Sequence, residues 1–133
     1  MRKEYVQAMA IAIRDKIIEN SQQFLRPGEQ VQAVIGGQTL SGWWGALSSI
    51  VFFWNNYRAV LATDQRILVL HCGKMRMGKP QSVVRELPRA TRIGPPSGLW
   101  WKCETLGEKM YVHKRFHKDV EAADAAAGYQ ATA

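Results

Sequence analysis

The chain has 133 residues, 47% apolar and 22% charged, and its 18 basic against 11 acidic side chains give a net charge of +7. That length fits one domain whose hydrophobic core needs no disulfide staples. It contains no low-complexity tract and no long repeat, and its two distant cysteines, Cys72 and Cys103, lack CxxC spacing and read as reduced thiols of a cytosolic protein.

The N-terminus is basic at Arg2 and Lys3, but Glu4, Arg14, Asp15 and Lys16 interrupt any apolar stretch of the kind a secretory signal needs. Residues 3–24 instead place Val6, Met9 or Ala10, Ile13, Ile17 and Phe24 near one face at helical spacing. Pro27-Gly28 ends that helix. Glu29–Gln38 alternates Val31, Ala33 and Ile35 inward as a first strand, and Gly36-Gly37 weakens it or marks a bulge. Trp43–Trp54, WWGALSSIVFFW, is an uncharged block of twelve residues. As a helix it spans about 18 Å, short of the ~30 Å of a bilayer's hydrocarbon core.

Tyr57–Leu70 reads as two apolar, β-branched runs around the turn Thr63-Asp64-Gln65-Arg66, a β-hairpin. Asp64 suits a cap of that turn and Arg66 a reach across the hairpin. A basic connection with Gly73, Gly78 and Pro80 leads to a strand over Ser82–Leu87, stopped by Pro88. Arg89–Ile93 is a short strand or turn before the irregular Gly94-Pro95-Pro96-Ser97-Gly98. Leu99–Thr105 and Lys109–His113 form a second hairpin, and His113–Ala127 a helix with Phe116, Val120 and Ala123 on one face. The tail 128–133 should fray. Consecutive short strands with tight turns predict an antiparallel sandwich or partly open barrel with terminal helices.

Several of these elements occur together in one known family. They are Pro27-Gly28-Glu29 entering an alternating strand, the Val60–Leu70 hairpin with its T-D-x-R turn, the Val84–Ile93 strand with its Leu-Pro end, and the closing hairpin followed by the Phe116 helix. Over about residues 27–126 the chain resembles the bacterial pleckstrin-homology-like domains. The resemblance implies a seven-stranded, strongly bent antiparallel sandwich capped by the C-terminal helix. On that reading residues 1–26 form an additional helix, 27–127 the domain, and 43–54 an apolar insertion between its first two strands. Phosphoinositide-binding relatives carry basic ligand residues in that loop. Residues 38–56 have no Lys or Arg, so headgroup binding transfers to no residue here.

The charge is uneven. Residues 74–118 hold eleven basic and three acidic side chains, which favours an anionic partner: phospholipid, nucleic acid or an acidic protein face. Lys74, Arg76, Lys79, Arg85, Arg89 and Arg92 are the candidate basic patch. With Trp100 or Trp101 such a patch also suits single-stranded nucleic acid, although neighbouring strand residues face opposite sides and only one of the two rings can share its face. Trp43, Trp44, Phe52, Phe53 and Trp54 are the candidate membrane or partner contact, since aromatic rings suit a bilayer interface. The alternative is that this block folds into the core. His113 and His117 with His71, Cys72 and Cys103 match no standard zinc spacing. No GxSxG, Walker loop or GxGxxG is present, so neither a catalytic residue nor a cofactor is expected. The reading is a cytoplasmic, non-enzymatic binding module that docks on a protein partner or on the anionic inner face of the plasma membrane. Homo-oligomeric assembly through the N-terminal helix and aromatic block, or nucleic-acid binding by the basic face, are the alternatives.

Overall fold

A computed structural model describes residues 2–40, 55–73 and 77–129, with side chains from residue 12 onward. A helix, α1 (Arg2–Ser21), and one 3-10 turn precede β1 (Val31–Gln38), β2 (Tyr57–Thr63), β3 (Arg66–Gly73), β4 (Ser82–Pro88), β5 (Trp100–Cys103) and β6 (Met110–His113). A second 3-10 turn (Lys114–Phe116) then leads into α2 (His117–Ala126). The strands form one antiparallel, open sheet in the order β4-β3-β2-β1-β6-β5. Both expected hairpins form. Among the described residues there are six strands where seven were expected, because the chain after Pro88 makes a turn at 89–90 and then runs without regular pairing to residue 99.

The central strands are near-continuous apolar runs, the pattern of a sheet covered on both faces. One face carries Ala33, Ile35, Val60, Ala62, Ile67 and Val69, which meet Met110 and Val112 of β6, then Phe116, Val120 and Ala123. The other carries Val34, Ala59, Leu61, Leu68, Leu70 and Cys72 beneath Ile17 of α1. The alternation Val31, Ala33, Ile35 therefore describes only half of β1, since Val34 is buried on the opposite side. Although α1 stands ahead of the strands in the chain, its residues 12–21 belong to the packing. Ile17 is fully buried, Ile13 and Ile18 pack around it, and Arg14 Nη2 lies 2.9 Å from Asp119 Oδ2 on α2. Each such buried aliphatic side chain contributes about 1.5–3 kcal/mol.

Gly36 and Gly37 stay in register with Ala59 and Arg58, and the shift in β1 lies earlier, between Val31 and Ala33. The need for glycine at position 36 is close approach: a Cβ there would lie 2.8 Å from Phe116 Cζ and would press on Met77 Sδ.

The hairpin turn at 63–66 is tied into the fold by a set of polar contacts. Thr63 Oγ1 donates to Glu29 Oε2 at 2.6 Å and accepts from the amides of Gln65 and Arg66 at 3.1 Å each. Arg66 grips the Glu29 carboxylate with two nitrogens at 3.0 Å and donates to the carbonyl of Phe24 at 3.1 Å. Thr63, not Asp64, caps the turn. Asp64 Oδ1 accepts from the amide of Gln30 at 2.9 Å, so it fastens the hairpin to the entry of β1. At the opposite side of the fold Glu108, in the β5–β6 turn, takes Arg58 Nε at 2.7 Å and faces Arg85 Nη1 at 3.4 Å. The Asp124 carboxylate accepts from the amides of Ile93 and Gly94 at 2.8 and 2.9 Å, which fixes the long connection from β4 to β5 against α2.

Candidate docking surface

One end of the sheet collects aromatic and basic groups. Gln38, the last residue of β1, pairs with Tyr57 of β2 on one side and with Tyr111 of β6 on the other, and Tyr111 pairs with Lys102 of β5. Just beyond this row the two chain segments stay joined. Thr39 N donates to Asn56 O at 2.9 Å, Asn56 N to Thr39 Oγ1 at 2.9 Å, and Leu40 N to Asn55 Oδ1 at 3.1 Å. The side-chain acceptors Thr39 and Asn55 satisfy amides that the ending strand ladder leaves open. Trp43, Trp44, Phe52, Phe53 and Trp54, selected from sequence, lie outside the described residues. The chain departs toward them at Leu40 and returns from them at Asn55, so their stem stands beside β6.

Strand β6 runs directly into His113-Lys114-Arg115-Phe116-His117-Lys118. Phe116 turns inward and is fully buried, which forces its neighbours to the rim. The turn is held by local bonds: Lys114 N donates to Leu99 O at 2.9 Å, and Arg115 N donates to His113 Nδ1 at 3.0 Å. Trp100 meets His113 edge-on at 5.0 Å between ring centres, while Trp101, across the strand, packs on the core and meets His117 at 6.3 Å. As strand geometry requires, the two tryptophans face opposite sides. Lys114 and Lys118 are exposed; Arg115 is half-buried.

The electrostatics here are one-sided. The Arg115 guanidinium lies 5.1 Å above the Phe116 ring, and its buried Nε has no hydrogen-bond partner. Burial lowers the pKa of Arg115, and Tyr57 acts the other way. Burial also holds the His113 pKa below its ordinary value, with Arg115, His117 and Lys114 adding like-charge repulsion. The His117 pKa is lowered, chiefly by burial and further by Lys114, against the opposing pull of Glu121 and the backbone of Val112.

The described members of the sequence-selected basic patch are spread over the fold. Lys79 is exposed ahead of β4. Arg85 reaches Glu108 in the β5–β6 turn. Arg89 donates to Gln32 Oε1 at 2.8 and 3.1 Å and to Ala123 O at 3.0 Å, at the C-terminal end of α2. Arg92 lies 5.5 Å from the ring centre of Tyr129, just past the same helix. Arg89 and Arg92 thus come to one region and Arg85 to another, while Lys74 and Arg76 lie outside the described residues. The residues that sequence reasoning left out are Tyr57, Lys114, Arg115 and Lys118. A signal for three of them was available in the density of the run HKRFHK.

Of the groups weighed for metal binding, His71 Nδ1 contacts Arg58 Nη1 at 2.9 Å and both cysteines are buried. Burial pushes the Cys72 thiol up to about 12 and raises that of Cys103 as well, so neither is a thiolate near neutral pH. Among the described residues no group of three or more His, Cys, Asp or Glu could hold a metal ion. Likewise, no described helix is long and apolar enough to cross a membrane. No family model, curated protein or solved structure matches this chain.

Proposed function

We propose that this protein is a non-catalytic docking module that settles on an anionic membrane surface with the Tyr57–Tyr111 end of its sheet. One observation carries the reading: the stem of the aromatic segment 43–54 is paired, through Gln38 and Tyr111, to the strand that delivers HKRFHK. Five tryptophan and phenylalanine side chains in that segment supply rings suited to the headgroup region. Lys114 and Lys118, exposed just after β6, supply cations, each worth about 1 kcal/mol near an anionic leaflet. Aromatic insertion and basic attraction together are the two-signal arrangement that gives stable peripheral attachment.

The architecture supports a pleckstrin-homology-like reading in outline. The meander β1–β4 shares its first strand with the β5–β6 hairpin, and the 3-10 turn and helix that follow β6 plug the core with Phe116 and Val120. On this reading the protein is cytoplasmic and attaches peripherally at the inner face of the plasma membrane. Co-sedimentation with vesicles of phosphatidylcholine containing an anionic lipid tests the proposal. The protein is expected to pellet with them at low salt and to be released as salt rises; absence from the pellet at low salt, where electrostatic attraction is strongest, would overturn it.

A further inference from the structure

Buried cations in this fold are otherwise answered by partners. Among the part-buried arginines, Arg14 faces Asp119, Arg66 faces Glu86 and holds Glu29, and Arg58 and Arg85 face Glu108. Arg89, with no carboxylate in ion-pair contact, has the amide oxygen of Gln32 and the carbonyl of Ala123. Arg115 is the exception: among the described residues its guanidinium meets neither a carboxylate nor a carbonyl, and its Nε is buried without a hydrogen bond. With only the Phe116 ring and Tyr57 near it, a guanidinium drawn partly out of water lacks hydrogen-bond acceptors, and such a group is one that a bound anion would complete.

Its surroundings are donors. The His113 ring accepts the Arg115 amide on Nδ1, so the neutral ring carries its proton on Nε2 and presents a donor there. Trp100 holds that ring from β5. Lys114 precedes Arg115 and Lys118 follows on the first turn of α2, both exposed. The groups facing His113 from the surrounding elements are Lys114, Arg115 and His117, all basic, with Trp100 from β5. Glu121 on α2 acts on His117, and Tyr57 on β2 acts on Arg115. A planar fork of N–H groups with further cations around it is chemistry suited to a tetrahedral oxyanion.

We infer that Arg115, with His113 and Lys114, forms a binding site for a phosphate group. The inference rests on the docking reading for its lipid version, in which the phosphate belongs to a headgroup; a soluble phosphate compound would use the same donors. An anion bound here favours protonated imidazole and should raise the pKa of His113, although protonating Nδ1 gives up the bond it accepts from the Arg115 amide.

The test uses the whole chain and inorganic phosphate, at constant ionic strength maintained with chloride. Phosphate should raise the thermal midpoint of the wild-type protein, since it binds the folded state alone. It should also move the nuclear magnetic resonance titration of His113 to higher pH. Arg115→Met should weaken phosphate binding roughly tenfold to a hundredfold, the worth of a charge-assisted hydrogen bond, while Lys79→Met leaves it unchanged. Arg115→Gln repeats the measurement should the methionine variant not fold, and the His113 titration needs no variant. A second arm measures vesicles of phosphatidylcholine with phosphatidate. Loss of both phosphate and vesicle binding in Arg115→Met supports the site with a lipid headgroup as its ligand. Loss of phosphate binding alone supports the site with a soluble ligand, and leaves membrane docking standing on its aromatic and basic surface. A wild-type protein whose midpoint and His113 titration ignore phosphate overturns the inference, whatever the vesicles show.

Discussion

At the scale of single residues the fold turns on Glu29. Its carboxylate, fully buried, is held by both Arg66 nitrogens and the Thr63 hydroxyl, and the Arg66 bond above all lowers its pKa from 4.5 to about 2, against the opposing effect of burial. A carboxylate with a depressed pKa contributes stability that is complete above the unfolded value and is lost as pH falls through the folded one. Glu29 therefore stabilises the protein by about 3 kcal/mol at neutral pH, fading between pH ~4.5 and ~2. Urea unfolding of wild type and Glu29→Gln should show that gap at pH 7 and its narrowing in acid; curves that keep the same separation from pH 7 to pH 2.5 would contradict it. Gly36→Ala should cost about 1–3 kcal/mol, because the added methyl meets Phe116 and Met77 in a packed core. The same residues show how far local sequence can be read. T-D-Q-R announces a turn, since the residue types are those turns use. Which side chain caps it is set by Gln30 and Glu29, more than thirty positions away, and no local pattern carries that information.

At the scale of elements, α1 is a structural layer. Its Ile17 closes the face formed by Val34, Ala59, Leu61, Leu68 and Leu70. Ile17→Ala should lower stability by about 2–5 kcal/mol in chemical unfolding, the usual range for emptying such a site. Removal of residues 1–25 should expose that face and yield aggregated or partly unfolded protein in sedimentation and circular dichroism. A stable monomer with an unchanged unfolding midpoint would show that α1 is dispensable. The strands of the first hairpin were legible, because AVLA and ILVL admit little else, and so was a closing helix, although it begins at His117 where His113 was expected and Phe116 sits in the 3-10 turn ahead of it. The second covered face was not, because alternation in β1 shows which residues share a side and not whether the other side meets water. The helix over Ile17 decides that, and its partner surface is contributed by strands later in the chain.

At the scale of the whole molecule, charge excess is legible in composition but its placement is not. The eleven basic residues of 74–118 read as one patch along the chain. Folding divides them: Arg85 is tied to Glu108, and Arg89 is tied to Gln32 and the end of α2. Lys114 and Lys118 remain exposed in the segment that follows β6. Location rather than total charge should therefore govern membrane attachment, and two double reversals separate the two. Lys114→Glu with Lys118→Glu, and Lys79→Glu with Lys16→Glu, change the net charge equally at exposed positions. Co-sedimentation of both variants with anionic vesicles at low salt is the measurement that bears most directly on the docking surface. The first pair should abolish pelleting and the second should leave most of it; equal loss in both, or greater loss in the second, would contradict the account.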